Sequence, residues 1–413
     1  MYGLIGRRLG HSYSAPIHRA LTNGAYDYRL IEVEPDALAD FLRSREFDGL
    51  NVTIPYKRAV IPFLDALTPD AERIGAVNTI FRRGDRWIGD NTDAAGLRYA
   101  LERIGLDPGG RRCVISGNGG TSRTAAVVLS ELGAASVRLV SRREGTPFER
   151  AGTLDDTELI VNATPLGMSP ETDGDPLDLT LFPKLIGVFD AIYNPLSTRF
   201  LQRAQRLGLI QGCGLRMLVA QAKAAAERFL DARLDDGAIE RVYRELRAGT
   251  ENLILVGMPG AGKTAVGRAL SALSGKPFVD LDAVFVERAG MPIPEYFARF
   301  GEAAFRQVEA ELCAEVGRKT GQVVATGGGV VLREENRIHL RLNGYVVFLE
   351  RELSKLPTSG RPVSQAAPSL RALYEERLPA YRACADVSVV NDGSKASVAA
   401  RILELYRERL GTL

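Results

Sequence analysis

Two segments of the chain share one pattern of apolar and polar positions. Each has a short apolar run, a cluster of glycines, then apolar residues recurring at helical spacing. The first reads RRCVISGNGGTSRTAAVVLSELG, residues 111–133, and the second ENLILVGMPGAGKTAVGRALSALSG, residues 251–275. A further apolar run follows each, SVRLVSRR after the first and PFVDLD after the second. Strand, glycine turn, helix and strand open a βαβ unit, so each pattern predicts its own parallel sheet. Ahead of them, YRLIEVE and GLNVTIPYK read as strands and PDALADFLRS as a helix. A long helical stretch, MLVAQAKAAAERFLDARL, precedes RELRAGTEN, which reads as a helix end and a short linker. The class is therefore α/β. The pattern predicts a first lobe at 1–95, a Rossmann-like nucleotide lobe at 96–213 and a helical stretch at about 214–245. A linker at 246–251 and a P-loop domain with a parallel sheet at 252–413 follow.

Composition narrows the classes of partner. The chain has 413 residues, 45% hydrophobic and 25% charged, with a formal net charge of +2. Its basic residues are dispersed, which gives no electrostatic case for nucleic acid. The sequence offers no apolar run of bilayer-spanning length, and MYGLIGRRLG lacks the order of a signal peptide. Four cysteines lie far apart with no C-x-x-C, as expected of reduced thiols in a cytoplasmic protein. The three histidines form no metal-ligand pattern, so no zinc site is expected. Small-molecule substrates are the expected partners, acting on a monomer or homodimer.

The first glycine loop, Gly117 to Ser122, offers G-x-G with Ser122 in place of the third glycine of the dinucleotide fingerprint. Because it follows a strand and opens a helix, the backbone of Gly117, Asn118, Gly119, Gly120 and Thr121 can face a pyrophosphate. At the tip of the next strand an NAD enzyme places a carboxylate for the ribose hydroxyls. Here the tip holds Ser141, Arg142 and Arg143. Two guanidiniums suit a 2′-phosphate, which favours NADPH.

The region before this loop carries Ser12 and Ser14 in HSYSAPIH, Thr53 and Lys57 in NVTIPYK, Asn78 in GAVNT and Asp93 in DNTD. Each alone is ordinary turn chemistry. Together with YGLIG, GNGGTSR, NATPLGM, DAIYNP and GLRMLVAQA, in this order, they resemble the shikimate dehydrogenase family over residues 1 to about 245. The resemblance implies reversible NADP-linked reduction of 3-dehydroshikimate to shikimate. It implies that Ser12 and Ser14 hold the substrate carboxylate, and that Thr53, Asn78, Asp93, Tyr193 and Gln221 bind the ring hydroxyls or carboxylate. It further implies that Lys57 and Asp93 form the catalytic pair, with Gly214 near the nicotinamide. One departure is the order Ser14-Ala15-Pro16, where the family usually has proline directly after the second serine.

The second loop, GMPGAGKT from Gly257 to Thr264, fits the P-loop pattern in full. Gly260, Ala261, Gly262, Lys263, Thr264 and Ala265 are expected to cradle triphosphate, with Thr264 on Mg²⁺. Asp280 and Asp282 in FVDLD are expected at the next strand end on one side. Arg306 and Glu309 share a helix face at i, i+3, and Gly327 to Gly329 allow close backbone approach. With Arg361 in SGRP and Arg377 in RLPAY, the set resembles the shikimate kinase family over about residues 251–413. The resemblance implies that Arg306, Arg377 and Gly328 bind the shikimate carboxylate and ring. It places Asp282 at the acceptor hydroxyl, Asp280 on Mg²⁺ through water, and Arg361 on a lid over ATP. The lid segment RELSKLPT is shorter than is usual in that family.

The resulting expectation is a bifunctional enzyme that makes shikimate with NADPH and phosphorylates it with ATP. Rival readings are a single active half beside a regulatory one, or a first half that is an NAD-linked quinate dehydrogenase. A nucleic-acid motor of P-loop type lacks the basic face it would need.

Overall fold

The computed structural model describes residues 1–10, 12–356 and 370–412. They divide into two compact units, Met1–Tyr193 with Thr198–Tyr243, and Asn194–Ser197 with Arg244–Leu413. The expected Arg361 site lies outside the described residues.

The first unit holds two sheets. Strands β1 (Tyr2–Gly6), β2 (Tyr28–Glu32), β3 (Gly49–Val52), β4 (Ala66–Leu67), β5 (Thr79–Arg83) and β6 (Arg86–Asp90) form a mixed sheet in the order β2-β1-β3-β5-β6-β4. The β5–β6 pair is an antiparallel hairpin, with Arg83 opposite Arg86. Its tight turn places Gly84 at φ 59°, a conformation that costs glycine little. Strands β7 (Arg112–Ser116), β8 (Ser136–Val140), β9 (Leu159–Asn162), β10 (Gly187–Asp190) and β11 (Ile210–Cys213) form the second sheet, ordered β11-β10-β9-β7-β8 and parallel throughout. Val114, Ile115, Ile160, Val161, Val188 and Phe189 are buried, which is why these strands read as continuous apolar runs. The chain reverses its winding direction at β7, and ligands of such sheets sit at the carboxyl ends of the strands beside that point.

Helix Leu215–Leu230 crosses helix Thr92–Arg103 so closely that a Cβ on Gly96 would stand 2.5 Å from the Met217 carbonyl oxygen. This contact brings Gln221 beside the residues that follow β6. Helix Ser14–Thr22 begins at the serine despite the Ser-Ala-Pro order. Pro16 falls within the first turn, where backbone N–H groups have no intrahelical partner to lose.

In the second unit β12 (Asn252–Val256), β13 (Phe278–Asp280), β14 (Val323–Ala325), β15 (Gly344–Glu350) and β16 (Val387–Val390) form a parallel sheet ordered β13-β14-β12-β15-β16. Apolar clusters cover both faces, one around Ile254, Phe285, Phe348 and Tyr381 and one around Leu255, Leu270, Val347 and Ile402. Residues 246–250, expected as linker, instead complete helix Ala238–Thr250 and leave only Glu251 before β12. Thr250 donates back to the Leu246 carbonyl at 2.8 Å, and Arg247 reaches Glu251 one turn on at 3.2 Å. These bonds carry the helix through Gly249. Among the described residues no helix is long and apolar enough to cross a membrane.

Candidate active sites

The first site is a cleft of about 180 Å³ inside the first unit. Lys57 and Asp93 line it, and Lys57 Nζ donates to Asp93 Oδ2 at 2.5 Å. Both side chains are mostly shielded, at 18% and 13% exposure. Lys57 comes from the loop after β3 and Asp93 from the first turn of helix Thr92–Arg103. Ser12, Ser14, Thr53, Asn78, Tyr193 and Gln221 line the same cleft. Ser12 Oγ lies 3.1 Å from Ser14 Oγ and accepts from the Ser14 backbone amide at 3.2 Å. The Asn78 amide oxygen is surrounded by donors: Thr92 N at 2.7 Å, Thr92 Oγ1 at 3.1 Å and Thr79 Oγ1 at 3.1 Å. Its nitrogen is therefore the free donor end, directed at Gln221 Oε1, 3.4 Å away. Burial raises the pKa of the Tyr193 phenol, keeping it a neutral donor.

The first glycine loop adjoins this pair. Gly117 has φ 113° at the end of β7, and helix Gly120–Glu131 starts three residues later. A Cβ on Gly120 would stand 3.5 Å from the Lys57 side chain, and Thr121 and Gly214 line the cleft itself. Gly214 tolerates no side chain, because a Cβ there would come 2.1 Å from the Ala191 carbonyl oxygen. Past β8, the buried Ser141 hydroxyl accepts from the amides of Arg143 and Glu144 at 3.2 and 2.9 Å and donates to the Glu144 carbonyl at 2.6 Å. Ser141 thus builds the turn. The side chains of Arg142 and Arg143 are left exposed, with no partner among the described residues. Open glycine amides at a helix N-terminus and two unpaired guanidiniums fit a dinucleotide bearing an extra phosphate.

The second site is a cleft of about 870 Å³ in the second unit, lined by Gly260, Gly262, Lys263, Thr264 and Ala265 of the P-loop. Lys263 heads helix Lys263–Ser274, and its Nζ donates to the Gly257 and Met258 carbonyls at 2.8 and 3.0 Å. Thr264 Oγ1 donates to Asp280 Oδ2 at 2.7 Å. Two adjoining hard oxygen donors beside a phosphate loop suit Mg²⁺. Asp280 ends β13, as the sequence reading expects, but Asp282 lies in the first turn of helix Leu281–Ala289. The Asp280 carboxylate caps that helix by accepting the Asp282 amide at 3.1 Å, so the strand stops at Asp280 and the helix begins at Leu281. Both aspartates still line the cleft.

Arg306, Gly328 and Arg377 line the opposite part of this cleft. Arg306 is buried against Glu309, Nη1 to Oε2 at 2.8 Å, and also meets Glu302 at 3.3 Å. Burial raises the pKa of Glu309, and the Arg306 charge opposes that shift. Arg377 Nη1 donates to the Gly328 carbonyl at 3.2 Å. No side chain fits at Gly328, where a Cβ would meet Pro259 at 2.5 Å, so the P-loop and the glycine run touch directly.

Sequence reasoning missed several residues. Ala261, expected in the triphosphate cradle, is a buried part of the P-loop, and its carbonyl accepts at 2.6 Å from Asn391 Nδ2, which the sequence reading did not name. Arg351 Nη1 donates to the Gly260 carbonyl at 3.2 Å. Asn391 and Arg351 follow the carboxyl ends of β16 and β15, so the parallel topology was the signal that could have found them. In the first cleft Asn51, Met217 and Leu218 are further lining residues.

The architecture defines a two-site α/β enzyme, a dinucleotide-linked oxidoreductase joined to a P-loop phosphotransferase. Residues 4–80 match the model of the shikimate dehydrogenase substrate binding domain, and residues 259–407 match that of shikimate kinase. The NADP-dependent shikimate dehydrogenase of Symbiobacterium thermophilum is 37% identical over 261 residues, 56% of this chain and 89% of that one. The solved shikimate 5-dehydrogenase of Thermus thermophilus in complex with NADP(H) and shikimate is 32% identical. Its TM-score is 0.53, over 59% of this chain and 98% of that one. A chorismate mutase/shikimate 5-dehydrogenase fusion protein from Clostridium acetobutylicum is 34% identical, with a TM-score of 0.55 over 59% of this chain and 96% of that one. The chain belongs to the shikimate dehydrogenase family and carries a shikimate kinase domain in the same polypeptide. It is a bifunctional enzyme of the shikimate pathway.

Proposed function

We propose that the first site reduces the ketone of 3-dehydroshikimate and that Lys57 delivers the proton. The observation that carries this reading is the shielded Lys57–Asp93 pair adjoining the dinucleotide loop. NADPH, when bound, supplies hydride to the carbonyl carbon, and the negative charge that develops on the oxygen is met by the Lys57 ammonium. Asp93 keeps the ammonium oriented, Ser12 and Ser14 hold the substrate carboxylate, and Thr53, Asn78, Tyr193 and Gln221 hold the ring. At the second site Asp282 orients the acceptor hydroxyl of shikimate and takes its proton. Arg306 and Arg377 hold the substrate carboxylate, and Lys263 steadies the transferring phosphoryl group. Thr264 and, through water, Asp280 would hold Mg²⁺, which supplies charge neutralisation for the phosphates. The product is shikimate 3-phosphate, with ADP released.

In this reading residues 1–95 and the helices after Gly214 form the substrate lobe, 96–213 the NADP lobe and 252–413 the kinase. The four cysteines are free thiols, which supports action in the reducing cytoplasm. Lys57→Met tests the first site. Turnover with NADPH should fall by about 10² to 10⁴, with NADPH binding kept in a fluorescence titration. Near-normal turnover would contradict the assignment.

A further inference from the structure

Tyr381 closes the RLPAY stretch, and no motif gives it a role. It stands one helical turn after Arg377 in helix Leu370–Cys384, on the same face. The side chain is fully buried, and its ring stacks parallel on Phe348 of β15 with centroids 4.8 Å apart. A phenol this deep needs a polar partner, and its hydroxyl donates to the Gly328 carbonyl. The same carbonyl accepts Arg377 Nη1 at 3.2 Å, so its two lone pairs are divided between the phenol and the guanidinium. Arg377 is itself buried, and its Nε has no hydrogen-bond partner. Gly328 cannot yield toward the nucleotide side, because Pro259 of the P-loop fills the space a Cβ would need. The Tyr381 oxygen also lies 3.8 Å from the Met258 sulfur, on the same loop.

We propose that Tyr381 is a positioning residue for the anionic substrate of the second site. Its hydroxyl anchors the Gly328 carbonyl, and that carbonyl fixes the guanidinium plane of Arg377, leaving the remaining N–H groups aimed at a carboxylate. This rests on the reading of Arg377 as a carboxylate ligand. Ring packing alone would need only phenylalanine here, since the stack on Phe348 uses no oxygen. Burying a hydroxyl costs desolvation that the carbonyl bond must offset.

Kinase kinetics of the full chain with Tyr381→Phe test it. The KM for shikimate should rise about threefold to tenfold, the scale of one lost hydrogen bond. The KM for ATP, kcat and the dehydrogenase rate should stay within about twofold, since phenylalanine keeps the ring packing on Phe348 and the hydroxyl meets the P-loop only at the Met258 sulfur, 3.8 Å away. Arg377→Lys should raise the KM for shikimate by itself, and adding Tyr381→Phe to it should change little more, because both act through one group. An unchanged KM in Tyr381→Phe, fully additive effects, or parallel losses in both KM values with a lower Tm would overturn the proposal. No effect of Arg377→Lys would instead remove the carboxylate-ligand reading, and the inference with it.

Discussion

Arg142 and Arg143 are two exposed guanidiniums with no partner among the described residues, at the tip of β8. Two guanidiniums at the strand tip next to a dinucleotide loop suit a 2′-phosphate. Replacing both with serine should lower kcat/KM for NADPH by about a hundredfold while leaving that for NADH nearly unchanged. Equal losses with both cofactors would contradict the assignment. Asp190, at the end of β10, carries a different signature. Burial pushes its pKa from 3.8 to about 7, against three donors: Thr198 Oγ1 at 2.6 Å, Asn162 Nδ2 at 3.0 Å and the Ile192 amide at 3.1 Å. The folded state therefore holds this proton more tightly than the unfolded chain. Its contribution to stability is complete below pH 3.8 and lost as pH rises through about 7. Denaturant titrations should show that slope, and Asp190→Asn should flatten it over this range. At this scale the sequence was legible wherever chemistry sits in short contiguous motifs, as with Lys57, Asp93 and Lys263. Tyr381, Asn391 and Arg351 act through backbone carbonyls of distant residues, and no local pattern reports such a bond.

At the scale of elements, the βαβ units were legible because their strands are buried on both faces and their glycine turns are local. The end of helix Ala238–Thr250 was not. AGT reads as a helix stop, yet the run is held by long-range bonds. Buried Glu251 accepts Arg247 at 3.2 Å and Arg409 at 2.9 Å, and Lys276 Nζ reaches the Ala248 and Glu251 carbonyls at 2.6 and 2.9 Å. A kinase fragment should accordingly begin before Arg247. Residues 244–413 should fold and phosphorylate shikimate with Mg-ATP. Residues 252–413, which strand Arg409 without its carboxylate, should melt about 10 °C lower. Identical Tm values for the two fragments would contradict the structural role of this cluster.

The whole molecule places two polar sites in one chain, each beside a glycine loop that follows a strand of its own parallel sheet. That arrangement was readable because two separate phosphate loops, GNGGTS and GMPGAGKT, each precede their own supporting residues. Among the described residues, neither site shows the loss of a key side chain that a purely regulatory half would allow. Lys57 keeps Asp93, and Thr264 keeps Asp280. The product of the first reaction is the substrate of the second, so tethering fixes their ratio even without direct transfer between sites. The purified chain given 3-dehydroshikimate, NADPH and Mg-ATP tests this most directly, with NADPH loss and ADP release followed together. The account predicts both signals, with ADP release beginning only as NADPH is consumed. NADPH loss without ADP release, or ADP release only when shikimate is added from outside, would contradict it.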